Sequence, residues 1–450
     1  PAALGNYIAQ QIIEFGLQDG SREQAGYRNL HYQPVNDPLD PTLHGNPGQV
    51  DPNRWQPVTL GTFIDQSGNV LPVQTPEFIG AEWGGVTSFA LPEEEKTSYV
   101  RDGFEYTTYY DPGPPPTLDS SRTDGWSEEF KWSFSLVPLW QGHFDQSDNV
   151  VWDISPAAMG NVPDLPQNYE EHRDFYDLHE GGDTGKGHAV NPHTGKPYES
   201  QLVQRADYTR VLAEFWADGP DTETPPGHWY TILNHVTGHT EFEKKFRGDG
   251  RTLDDLEWDV KSYFTLGGAV HDAAIAAWGI KGRYDYTRPV SAIRWMADRG
   301  QSSDPGKAGF NPEGIPLYEG SIELVREGDP LAGAENEHVG KIKLNTWRGH
   351  EYIEDPETET AGVGWILAEN WWPYQRPTFV TPPFAGFVSG HSTFSRSAAE
   401  VMTLLTGDPF FPGGLGEFHA PANEFLVFED GPEETVILQW ATYRDASDQC

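Results

Sequence analysis

Two short stretches hold the residues best suited to chemistry. The first is KGRYDYTRP, residues 281–289, which sets Lys281, Arg283 and Arg288 close together in an otherwise acidic chain. Arginine offers a planar fork of donors to an oxyanion, and lysine adds a compact point charge. The second lies in FVSGHSTFSRSAAEVM, residues 387–402, where Ser389, Gly390 and His391 stand at the start of a helical pattern. A helix N-terminus presents free N–H groups, glycine lets an anion approach the backbone, and a serine hydroxyl adds a donor. His391 beside such a group could give or take a proton near neutral pH. Each stretch also has a simpler reading. The first is a charged helix end whose cations complement the dipole. The second is a serine N-cap with an incidental histidine.

The rest of the chain must position these residues, and its composition limits how. Among 450 residues, 69 are acidic and 30 basic, for a formal net charge of -39. That balance excludes a general nucleic-acid binder and disfavours docking on anionic lipid. It also makes any local cluster of cations a candidate functional feature. Aromatic residues make up 13%, including 16 Trp, so a large core can form, while 48 Gly and 37 Pro imply long ordered loops. Cys450 is the only cysteine, which rules out an intrachain disulfide and cysteine-rich zinc modules. No apolar run reaches the roughly 18 residues of a membrane span. The chain begins with Pro1, so its start reads as processed, and any signal peptide would already be gone.

The pattern predicts a mainly α-helical protein with a loop-rich N-terminal half. Leu4, Ile8, Ile12 and Phe15 fall at helical spacing in residues 2–16. Residues 31–125 are rich in turn formers, with SYVRDGFEY as a candidate for strands. Helices are expected over 205–219 with a stop at Gly219, over 267–285 with an Ala-rich stripe, over 290–298 after Pro289, over 361–372, and over 391–407 ending at a glycine. The expected organisation is residues 1–200 as a loop-rich region packed on a helical core, and 201–450 as a helical oxyanion-binding catalytic region.

Taken together, Lys281-x6-Arg288-Pro289 and Ser389-Gly390-His391 resemble the signature of the superfamily of vanadium-dependent haloperoxidases and type-2 acid phosphatases. Val388 stands where proline is commoner. Residues 213–232, 271–289, 191–198 and 54–69 also look like segments of the long bacterial haloperoxidase-like branch, whose fold is built on helix bundles. The resemblance implies vanadate as cofactor, with phosphate able to occupy the same site. It implies Lys281, Arg288, Ser389 and Gly390 as oxyanion ligands, and His391 as the acid–base group that deprotonates peroxide. Lys281 would also polarise the bound peroxide, making it a second catalytic residue. The substrates implied are hydrogen peroxide, a halide and a small organic acceptor, and the product is a hypohalous acid equivalent. A phosphatase-like hydrolase using the same pocket, and a degenerate non-catalytic phosphate or vanadate binder, are the alternatives.

The family's third motif, Ser-Arg-x5-His-x3-Asp, supplies a second arginine and the axial histidine. It has no match within residues 1–450. Ser21-Arg22, Ser121-Arg122 and Ser395-Arg396 are followed at the histidine position by Arg28, Glu128 and Met402. The expectation is that the motif lies beyond Cys450, on a longer polypeptide or a separate C-terminal chain. A homo-oligomer is the other partnership considered. Among the remaining histidines, His235 and His239 could share a helix face for a metal. His228 and His271 read as structural, or as neighbours of the site at most. GGDTGKGH, residues 181–188, fails as a phosphate loop because Glu180 and Gly187 occupy required Gly and Ser/Thr positions. The acidic turns DQSGN and DQSDN lack the spacing of a calcium-binding EF-hand loop. Secretion or a periplasmic location is expected from the processed start, the acidic surface and the family's habitat.

Overall fold

The computed structural model describes residues 2–65, 68–217 and 223–450. Its helices are α1 (Ala2–Gly16), α2 (Trp126–Trp140), α3 (Tyr169–Phe175), α4 (Arg205–Trp216), α5 (Pro225–Gly238), α6 (Asp255–Tyr284), α7 (Pro289–Arg299), α8 (Gly390–Thr406) and α9 (Tyr443–Ser447). Their ends follow from capping chemistry. Asp254 accepts from the Glu257 amide to start α6, and Pro289 supplies the first residue of α7. Gly407 takes the left-handed conformation that stops α8. The expected helix over 267–285 is the second half of α6, which begins earlier, at Asp255. The stop expected for α4 at Gly219 lies outside the described residues, as does part of the DQSGN turn.

The strands are short and antiparallel. β1 (Lys96–Arg101) and β2 (Phe104–Tyr109) form a hairpin across Asp102-Gly103, both with positive φ, as a two-residue turn of this hand requires. β3 (Val151–Asp153) pairs with β6 (Leu202–Gln204), and β4 (Tyr176–Asp177) with β5 (Gly181–Gly182). A three-stranded sheet runs β7 (Ile322–Leu324), β8 (Ile342–Trp347), β9 (Val363–Leu367), and β10 (Gly416–Ala420) pairs with β11 (Val436–Trp440). The sheet corrects one expectation. Residues 361–372 are not a helix but β9 followed by a single 3-10 turn, Ala368–Asn370. Their apolar run is too short to distinguish a buried strand from a buried helix.

Two hydrophobic clusters organise the interior, and both draw on early and late parts of the chain. One packs Trp229, Trp258, Trp278, Phe394 and Met402 of α5, α6 and α8 against Tyr32, Trp55 and Phe78. The other packs α2 and α7 on the three-stranded sheet together with Leu39, Val58 and Phe63. The outer face of α6 lies so close to the N-terminal region that a Cβ on Gly282 would collide with the Ala81 carbonyl. By contrast, α1 has no buried residue, so the apolar face expected at Leu4, Ile8 and Ile12 is solvent-facing.

The strongest polar tie between early and late residues is at the end of α6. Asp285, fully buried and in the left-handed conformation, accepts from Tyr32 Oη at 2.7 Å and from Arg54 Nε at 2.6 Å. Its own carbonyl accepts from the Trp55 amide. Removing Arg54 would strand a buried carboxylate. Arg54→Met is therefore expected to cost about 3 kcal/mol or more in urea unfolding, with an unchanged denaturant slope. A second buried carboxylate sets a pH dependence. Glu214 of α4 accepts from Tyr374 Oη and from the Val427 and Phe428 amides, yet burial pushes its carboxyl up to about 7. Its folded-state value exceeds that of the unfolded chain, so its contribution to stability fades as pH rises through about 7. Glu214→Gln, uncharged throughout, should flatten the decline in Tm between about pH 5 and about pH 8.

Candidate oxyanion site

Three helix ends converge on one point. Lys281 sits in the last turn of α6, Arg288 is the residue that caps α7, and Ser389, Gly390 and His391 open α8. The segment leading into α8 fastens them together. The Gly386 amide donates to the Tyr286 carbonyl at 2.9 Å, which lays residues 384–386 along the α6–α7 connection. From that segment the Ala385 carbonyl accepts from Lys281 Nζ at 2.8 Å, and the Phe384 carbonyl accepts from Arg288 Nε. The centre of the Phe384 ring lies 5.2 Å from Lys281 Nζ and 4.8 Å from the Arg288 guanidinium carbon.

Lys281 is 1% exposed. Burial, and then the neighbouring Arg288 charge, hold its ammonium well below the usual lysine range. Among the described residues no carboxylate lies within ion-pair distance of it; its hydrogen bond goes to a carbonyl. A nearby anion would reverse the shift and restore the full charge. Gly390 is the first residue of α8, where backbone amides lack an acceptor within the helix. A Cβ there would stand 3.2 Å from two ring atoms of Trp278, a tight contact that the Trp278 ring would have to yield to by a few tenths of an ångström. Ser389 caps the helix by accepting from the Ser392 amide at 3.2 Å. The capping reading and the ligand reading are compatible, because a hydroxyl that accepts still has its own proton to donate. Ser389 is exposed and His391 half-buried.

Lys281, Arg288, Ser389, Gly390 and His391 are thus brought together. Arg283 is not among them: it turns towards the N-terminal region, pairs with Asp111 and lies against Tyr99. Arg396 pairs with Glu400 and Asp448, one turn further along α8. His271 rests near Asp19 and Asp272 on another face of α6. The rings of His235 and His239 are 6.5 Å apart, and among the described residues no group of three potential metal ligands forms. His188, from the loop that imitates a phosphate site, bonds Asp445 at 2.8 Å. Sequence reasoning missed the carbonyls of 384 and 385 and the ring of Phe384, since no motif marks backbone groups.

Comparison with known proteins bears on this same region. Residues 261–450, which carry all five candidate residues, match the family model described as the VCPO second helical-bundle domain. No curated protein sequence matches the chain. Solved structures similar to it include apo-type and holo-type bacterial vanadium-dependent chloroperoxidase, each at 13% identity over 94% of this chain, with TM-scores of 0.48 and 0.46. The first bacterial vanadium-dependent iodoperoxidase is similar at 16% identity over 89% of this chain and 53% of its own, with a TM-score of 0.39. The chain spans 58% of the length of the two chloroperoxidase chains. Among the described residues no helix is long and apolar enough to cross a membrane.

Because Lys281 is desolvated and has no carboxylate partner among the described residues, Lys281→Met should hold or raise Tm. The same change should weaken binding of inorganic phosphate by about tenfold or more, measured by calorimetry.

Proposed function

We propose that this protein is a vanadate-dependent haloperoxidase, oxidising a halide with hydrogen peroxide to a hypohalous acid equivalent. The observation that carries the reading is the buried Lys281, without a carboxylate partner among the described residues, beside Arg288, both bonded to the segment that leads into α8. The match of residues 261–450 to the VCPO second helical-bundle domain supports it. In this reading residues 201–450 form the catalytic region and the first 200 pack upon it. Peroxide, halide and a small organic acceptor are the partners, and the protein acts outside the cytoplasm.

The donors present fit part of an oxyanion site: Lys281, which has no carboxylate partner among the described residues, Arg288, a helix-start glycine and a hydroxyl suit a tetrahedral oxyanion, while the second arginine and axial histidine of the third motif are not among residues 1–450. Lys281 and Arg288 would hold and neutralise the oxyanion, and Ser389 Oγ and the Gly390 amide would donate to its oxygens. Phosphate, of the same shape and charge, would compete. When bound, vanadate supplies a Lewis acid that activates peroxide without changing its own oxidation state. The protein's share is placement of charge and movement of a proton. The Lys281 ammonium, fixed by the Ala385 carbonyl, stabilises negative charge as it develops on oxygen, in surroundings where water screens little. A ring nitrogen of His391 takes the O–H proton of incoming hydrogen peroxide and returns it as product forms.

The test is halogenation of a phenol dye. Turnover should require added vanadate and peroxide and fall as inorganic phosphate is raised. Bromination or iodination that persists without vanadate would overturn the reading, as would hydrolysis of an aryl phosphate with no halogenation. His391→Ala is expected to lower turnover by about a hundredfold or more while vanadate binding remains measurable.

A further inference from the structure

One residue outside the proposed donor set borders three parts of the site. Trp278 lies on α6, three residues before Lys281, and is 8% exposed. The benzene end of its indole faces α8: Cζ3 and Cη2 would each stand 3.2 Å from a Cβ on Gly390. Its ring centre is 5.7 Å from Lys281 Nζ and 4.8 Å from the Phe384 ring, which it meets edge to face. None of these contacts reaches a bound anion. Together they back Lys281, the Gly390 turn and the segment between them.

The opposite end of the indole is held by the N-terminal region. Trp278 Nε1 donates to the Ile79 carbonyl at 2.9 Å. The Ile79 amide donates in turn to the Pro383 carbonyl at 2.9 Å, one residue before Phe384. Ile79 therefore grips both α6 and the segment leading into α8, each through a directional bond. Gly80 closes the grip. Its φ is +77°, and a Cβ there would stand 2.5 Å from both Trp278 Cδ1 and Trp83 Cδ2. Only glycine fits this left-handed slot between two indoles. On the other side of Ile79, Phe78 is packed in the core and its carbonyl accepts from Asn29 Nδ2 at 2.6 Å.

We propose that Ile79, Gly80 and Trp278 are positioning residues for the oxyanion pocket. They form a clamp by which the N-terminal region sets the spacing between Lys281 and the Gly390 amide. An indole is rigid, so fixing its pyrrole end at Ile79 and Gly80 fixes where its benzene end stands against the α8 turn. Lys281 and Gly390 belong to different helices. An anion gains fully from both only if their separation is set before it arrives. The three clamp residues themselves donate nothing to the anion. The proposal rests on the reading of this site as an oxyanion pocket and is independent of the halide chemistry.

Calorimetry of the full chain with inorganic phosphate, alongside Tm, tests the clamp. Trp278→Phe removes the Nε1 donor and shortens the ring that reaches Gly390, while Gly80→Ala drives a Cβ into Trp278 and Trp83. Each is expected to weaken phosphate binding by about tenfold. The double variant separates positioning from stability. If Gly80 acts through Trp278, the two changes together should cost no more affinity than Trp278→Phe alone. Tm should still fall further, because the crowding of Trp83 remains. Losses of affinity that multiply in step with Tm overturn the clamp, as does unaltered affinity in either folded single variant. A second measurement needs no variant. Phosphate at about ten times its Kd should slow hydrogen exchange of the Ile79 amide by about tenfold, since an open clamp cannot hold the anion. An unchanged rate overturns the proposal while leaving the oxyanion pocket intact. An unaltered chain that binds no phosphate overturns both.

Discussion

A buried ammonium without a carboxylate is the constraint on which the site depends. Taking such a charge out of water costs several kcal/mol, and in an ordinary core a partner of opposite sign would offset it. Lys281 has a carbonyl instead, and a second cation nearby. In the proposed function the missing negative charge is delivered from outside, by the bound oxyanion. The three helix ends, the glycine turn at Gly390 and the carbonyl-lined segment 384–386 all serve to keep that electrostatic deficit in place.

The scaffold does so by tying the ends of α6, α7 and α8 to parts of the chain far away in sequence. Asp285 is the knot. By ending α6 in the left-handed conformation it sets the direction of residues 286–288, and through Tyr32 and Arg54 it fastens that turn to the N-terminal region. The α6–α7 turn then offers the Tyr286 carbonyl to Gly386, which fixes the approach to α8. Loops with few regular hydrogen bonds can hold a precise site when their side chains and carbonyls are committed in this way.

Much of the candidate site was legible in the sequence, less from either stretch alone, since each also reads as an ordinary helix end, than from the family resemblance the two carry together. Lys281, Arg288 and the start of α8 were visible for that reason, and caps such as Pro289 and Gly407 from residue type alone. The helix read over 361–372 was not there, since a short apolar run such as GWIL packs equally well as a strand, and pairing with β8 decided it. Arg283 could not be separated from Lys281 by spacing; only the position of Asp111, 172 residues earlier, draws it away. Trp278 lies in the helix read over 267–285, but its place against Gly390 depends on how α6 lies against α8. Contacts between elements leave no periodic trace in a single sequence.

The ring of Phe384 has a consequence for the protein before any anion arrives. It lies within cation–π reach of both Lys281 and Arg288. The negative face of an aromatic quadrupole is a weak, fixed counter-charge that carries no proton and cannot be titrated away. The ring therefore lies against both side chains whatever the protonation state of Lys281. The same ring is too weak a counter-charge to compete with a true anion.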